Sequence, residues 1–217
     1  MIFTSYFNTL IDPQRQKFWE GNDFETIQVL YDSVEMLELD MIVFHDHLTD
    51  KFIKDHTTKN IEVVYYKPSG DVLNARWVCY RENIKAEYDK VLCLDAFDTR
   101  LNKDPFVLFE PGKLLVGSEN MKIKDCGYIV QFSERAYDKV IYPEKQLLNC
   151  GILGGFVPLM KSFLDDYHDE LGTAKIKRCI DMALVNTIIY RNYQFITGDP
   201  IHTRLGKNDN GCYIKHK

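Results

Sequence analysis

The residues best suited to chemistry lie in Val91-Leu92-Cys93-Leu94-Asp95-Ala96-Phe97-Asp98-Thr99, where an apolar run ends abruptly in two carboxylates three residues apart. An apolar run without polar alternation reads as a buried central strand, and in an open α/β sheet the ligand chemistry gathers at the strand ends. Two hard oxygen donors at such an edge suit Mn²⁺ or Mg²⁺, which take one or two protein carboxylates and complete their shell with substrate phosphate. Asp95 and Asp98 are therefore candidate metal ligands for an enzyme that handles a phosphorylated or nucleotide substrate. The plainer reading is a turn, since Asp side chains readily satisfy loop backbone groups where a strand ends.

Three further segments carry residues of interest. Leu148-Asn149-Cys150-Gly151-Ile152-Leu153-Gly154-Gly155-Phe156 places three glycines in five residues, which permits close backbone approach or a tight strand–helix connection. It matches neither the P-loop, which needs Gly-Lys-Ser/Thr, nor the dinucleotide fingerprint, which follows a first strand. Gly198-Asp199-Pro200-Ile201-His202 offers a loop histidine, and Lys207 follows on a glycine-containing polar segment as a potential phosphate counter-charge. Asp181 opens a helix, a position that the helix dipole favours for an acid.

Around these segments the sequence alternates strand and helix. Residues Ile2 to Phe7 read as a first strand, Met41 to Phe44 as a second, and Ile61 to Tyr66 as a third. Phe24, Ile27, Leu30, Val34 and Leu37 recur at helical spacing, as do Leu73, Trp77, Tyr80 and Ile84 before the strand at Val91. This alternation predicts an α/β fold with a mostly parallel sheet flanked by helices. In the second half, Leu114 to Val116 and Tyr128 to Val130 read as short strands. A helix starts near Pro158 and stops at Gly172, and another runs from Ile180 to Tyr190. Without a low-complexity linker or repeat, residues 1–217 are expected to form one domain, with a mobile C-terminal tail over 206–217.

Composition narrows the classes. Of the 217 residues, 45% are hydrophobic and 27% charged, as in ordinary globular chains, and the net charge of -5 argues against broad capture of nucleic acid. Six cysteines are scattered without a C-x-x-C pair, which predicts free, mostly buried thiols in a reducing compartment rather than a disulfide frame or zinc site. The first residues lack a basic n-region and a long apolar stretch, and no run approaches the length of a membrane span. A cytoplasmic protein without a transmembrane segment is the expectation.

Taken in order, these segments resemble the nucleotide-sugar glycosyltransferases of the GT-A fold. Asp95-Ala96-Phe97-Asp98 resembles their acidic metal motif in its Asp-x-x-Asp form, as in the procollagen sugar transferases. Leu148 to Phe156 is similar to their Leu-Asn-Ser-Gly-x-x-Gly-Gly segment, with Cys150 in place of Ser. Asp181-Met182-Ala183-Leu184-Val185-Asn186 resembles their Asp-Gln-x-x-x-Asn helix start, with Met182, which cannot hydrogen-bond as Gln would. Ile201-His202 matches the late histidine that supplies a third metal contact. The resemblance extends to sugar transferase domains encoded by large algal DNA viruses, for which the cytoplasm would be that of the host cell.

The resemblance implies a GT-A domain that moves a hexose or deoxyhexose from a UDP-sugar to a hydroxyl of a glycan or glycoprotein. It implies Mn²⁺ or Mg²⁺ held by Asp95, Asp98 and His202, and donor contacts from Thr4, Tyr6, Asn8, Arg76, Asp95, Ala96, Gly154 and Lys207. Asn149 would position sugar and acceptor, and Asp181 would bind a hydroxyl or act as base. The late histidine is similar to that of retaining families, which implies retention.

Two other classes compete. Haloacid-dehalogenase-like phosphatases end a buried strand in Asp-x-Asp-x-Thr with the first Asp as nucleophile, whereas the spacing here is one residue longer. A nucleotide-sugar binding module without turnover would account for the substitutions at Cys150 and Met182.

Overall fold

The structure, a computed structural model, describes residues 1–10, 24–175, 179–203 and 211–216. Its centre is a seven-stranded mixed sheet whose first-half strands are parallel. These are β1 (Ile2–Tyr6), β2 (Met41–His45), β3 (Ile61–Tyr65) and β4 (Lys90–Leu94), joined to β6 (Lys113–Lys122), β7 (Gln146–Phe156) and β8 (Gln194–Ile196) in the order β3-β2-β1-β4-β7-β6-β8. Only β7 opposes its neighbours: it runs antiparallel to β4 and to β6, while β8 returns parallel to β6. A second sheet has three short strands, β5 (Thr99–Leu101), β10 (Ile214–His216) and β9 (His202–Thr203), with β10 in the middle.

Strand geometry sends alternate side chains to opposite faces, so a central strand must be apolar on both. In β4, Val91 and Cys93 enter one core with Phe3, Phe44 and Leu153, whereas Leu92 and Leu94 enter the other with Ile2, Tyr6 and Ile152. Helices cover each face. The first is covered by α3 (Val72–Asn83), α5 (Val157–Thr173) and α6 (Asp181–Asn192), with Trp77 of α3 packed edge-on against Phe163 of α5. The second is covered by α1 (Glu25–Met36) and α2 (Asp50–His56), through Leu30, Val34 and Phe52.

Polar side chains fix how these helices sit. Asp71 caps α3 by accepting from the backbone N–H groups of Leu73 and Asn74, and its other oxygen accepts from Cys179 N–H at 3.1 Å. One carboxylate thus anchors both α3 and the turn that leads into α6. Asn186 does the same for α6 and β7. Its amide accepts from Leu148 N–H at 2.8 Å and donates to Leu148 C=O at 3.0 Å, inside the core.

The structure departs from the sequence reading in three places. Residues Tyr128 to Val130 form no strand but the first turn of α4 (Gly127–Tyr137), because burial continues at helical spacing through Ile129, Ser133 and Ala136. The glycine-rich segment is no connection but the interior of β7, an eleven-residue strand. Gly172 lies inside the last turn of α5, whose chain leaves the helix at Ala174 in an extended conformation. All six cysteines are free and five of them are buried. Among the described residues, no helix is long and apolar enough to cross a membrane.

The Asn186 pairing generates a prediction. Asn186→Ala strands two buried backbone groups of Leu148, each of which costs about 1–3 kcal/mol when unsatisfied. Urea unfolding should show a loss of about 2–4 kcal/mol, whereas a change within the range of an ordinary surface substitution, about 0.5 kcal/mol, would contradict this account of how α6 is held.

Candidate metal site at the end of the central strand

Asp95 follows the last residue of β4, and its backbone N–H donates to Gly151 C=O of β7 at 3.0 Å. Asp98 lies three residues on, just before β5. Because β10 pairs with β5, the register sets His216 opposite Thr99 and brings its imidazole back over the two acids. His216 Nε2 lies 3.3 Å from Asp95 Oδ2 and 3.3 Å from Asp98 Oδ1. The three side chains can each offer one donor atom within a span of 4.8 Å. That set, two carboxylate oxygens and an imidazole nitrogen, suits a divalent cation; the oxygens fit Mn²⁺ or Mg²⁺, and the nitrogen favours Mn²⁺ of the two.

The floor of the cluster is Gly151. A Cβ there would stand 2.1 Å from His216 Nε2 and 2.7 Å from Asp95 Oδ2, so only glycine admits both side chains. Asn149 braces this residue: its Oδ1 accepts from Gly151 N–H at 2.6 Å, and its Nδ2 donates to Glu119 Oε1. Beside the cluster, Arg76 of α3 donates to Asp95 Oδ1 through Nη1 and to Asp181 Oδ2 through Nη2, the latter at 3.0 Å. Asp181 is buried at the start of α6, and its Oδ1 has no hydrogen-bond partner. Burial raises the Asp181 pKa, against the opposing pull of Arg76.

The histidine that joins the aspartates is His216, not the expected His202. The Nε2 of His202 accepts from Ser118 N–H at 2.9 Å, which occupies the lone pair a metal would need. Burial, and secondly His216, lowers its pKa and favours the neutral ring that this bond requires. His216 gave a faint sequence signal. Cys212, Ile214 and His216 alternate with Tyr213 and Lys215, and all three are buried in an otherwise polar tail. The tail expected to be mobile over 206–217 thus includes the paired strand β10, while Lys207 lies outside the described residues.

The other expected donor contacts divide. Thr4 Oγ1 donates to Leu94 C=O at 2.9 Å, so it stitches β1 to β4 rather than facing a ligand. Tyr6 is buried against Phe97, and Ala96 is buried in the second core. Gly154 serves packing, since a Cβ there would stand 2.7 Å from the ring of Phe109 and 2.8 Å from Val91 C=O. Asn8 does lie at the carboxyl end of β1 with both amide atoms buried and unpartnered. Its backbone N–H, with that of Thr9, donates to Asp46 just past β2. Next to Asp46, His45 keeps a buried, unpartnered Nε2, a group the sequence reading passed over.

No protein-family model matches the chain, and no curated protein matches it, so the functional reading rests on these residues and their geometry. The geometry generates a prediction about protons. Burial alone would lower the His216 pKa, but hydrogen bonds and charge from Asp95 and Asp98 outweigh it and raise the pKa to about 9. The folded value lies above the unfolded one of about 6.5, so the imidazolium stabilises the metal-free fold fully below pH 6.5, and this contribution is lost as pH rises through 9. In chelator, the stability advantage of the wild type over His216→Gln should shrink between these limits. An advantage that stays constant or grows over that window would contradict the assignment.

Proposed function

We propose that this chain is a metal-dependent glycosyltransferase of the GT-A type, moving a sugar from a UDP-sugar to a hydroxyl of a glycan or glycoprotein. The observation that carries the proposal is the Asp95–Asp98–His216 cluster, which lies at the carboxyl end of β4, where an α/β sheet places its ligands. The first half of the sheet, with β1 central and Asn8 at its mouth, supports a nucleoside subsite beside that cluster. The choice of UDP and of sugar transfer comes from the order of motifs in the sequence.

Asp95, Asp98 and His216 would hold Mn²⁺ or Mg²⁺. When bound, the cation supplies Lewis-acid stabilisation of the negative charge that grows on the departing diphosphate. The protein supplies the rest. Asn8 offers a buried donor and acceptor to the edge of a base, groups that otherwise stay unsatisfied. Asp181 Oδ1 offers an unpartnered acceptor to a sugar hydroxyl. Its Oδ2 is tied to Arg76, so Oδ1 is the oxygen open to a substrate group. Retention fits this arrangement, because the departing phosphate can then take the acceptor's proton.

Two measurements test the proposal. A ligand that binds only the native state raises the thermal midpoint by mass action, so one UDP-sugar should raise it with Mn²⁺ and not with chelator. Asp98→Ala should abolish Mn²⁺-dependent UDP release while the chain still folds. Most of the activity surviving in Asp98→Ala would contradict the proposal, as would release of phosphate from simple phosphoesters by the wild type.

A further inference from the structure

Arg76 was expected to face the donor. In the structure both terminal nitrogens are engaged by carboxylates, and its Nε is buried without a partner. The guanidinium lies 5.0 Å from the Trp77 ring centroid, on a helix whose start is capped by Asp71. Its remaining N–H groups can still donate where they stand, but any movement of the guanidinium toward a ligand would draw it away from Asp95 or Asp181. The two arms also do different things. One ends on Asp181, which is 3% exposed and fixed at the start of α6; the other ends on Oδ1 of Asp95, a residue of the metal cluster.

Resting on the cation reading of that cluster, we propose that Arg76 is a positioning residue. Anchored by Asp181, it holds Asp95 Oδ1 and so turns Oδ2 toward His216 and Asp98, where the cation would be held. Asp181 is then the anchor of this arm. Groups that orient a ligand from behind are worth about 10- to 100-fold in metal affinity. Charge alone predicts the opposite sign, since removing a cation beside a metal site strengthens metal binding. The planar fork matters as well: a lysine keeps the charge but cannot hold both carboxylates in one geometry.

The test uses Mn²⁺ and Co²⁺ as probes on the full chain, with Arg76→Lys and the charge-balanced double variant Arg76→Gln/Asp181→Asn. Mn²⁺ affinity is read from the EPR signal of the free ion, ligand geometry from the visible bands of bound Co²⁺, and folding from near-UV circular dichroism. In a folded variant, Mn²⁺ affinity should fall by about 10- to 100-fold, with altered Co²⁺ bands. Wild-type affinity, or wild-type bands, in the folded double variant would overturn the role of Arg76 alone. A wild-type chain that takes up neither ion would overturn the cation reading itself, and this role with it.

Discussion

The site depends on one close approach: two side chains from distant parts of the chain meet over the bare Cα of Gly151. Asp95 reaches it from the end of β4 and His216 from β10, at positions where a methyl group would overlap both. The approach is possible because β7 inserts antiparallel between β4 and β6, putting a glycine next to the strand end that carries the acids. Neither feature works alone. Without the reversed strand there is no floor, and without glycine the floor is too high for the imidazole.

Electrostatics then sets what the arrangement requires. Arg76 bridges Asp95 and Asp181, and His216 lies against Asp95 and Asp98, so among the described residues three carboxylates gather around one guanidinium and one imidazole. Uncompensated charge in a partly buried site is expensive. A proton on His216 compensates part of the carboxylate charge, and a divalent cation in its place would do the same. The same carboxylates that raise the His216 pKa are those that would hold the cation, so proton and metal compete for one place.

The central strand and its acids were legible in the sequence because burial on both faces leaves an unbroken apolar run, which stops where Asp95 begins. The amphipathic helix α1 was legible for the related reason that one apolar stripe recurs at helical spacing, whereas the apolar residues of α3 are spread around the helix. What sequence reasoning lost was set by long-range pairing. β5, β9 and β10 have two or three residues each, too few to show a period, and they become strands only by pairing with one another. His216 went unnoticed with them. His202 was preferred on motif order, yet Ser118 N–H already occupies its ring nitrogen. In the glycine-rich segment the residue types were read correctly as permitting close approach, but what approaches could not be inferred. At Gly154 it is a phenylalanine ring and a backbone carbonyl; at Gly151 it is the side chains of His216 and Asp95. Tyr128 to Val130 failed because three consecutive apolar residues carry no period of their own.

On this geometry a divalent cation would be held by Asp95, Asp98 and the imidazole of His216. Pulsed EPR on the Mn²⁺-loaded chain tests this most directly, because a coordinated imidazole leaves a nitrogen modulation on the manganese signal. The modulation should be present in the wild type, persist in His202→Ala and vanish in His216→Ala. Modulation that survives the loss of His216 and disappears with His202 would contradict it.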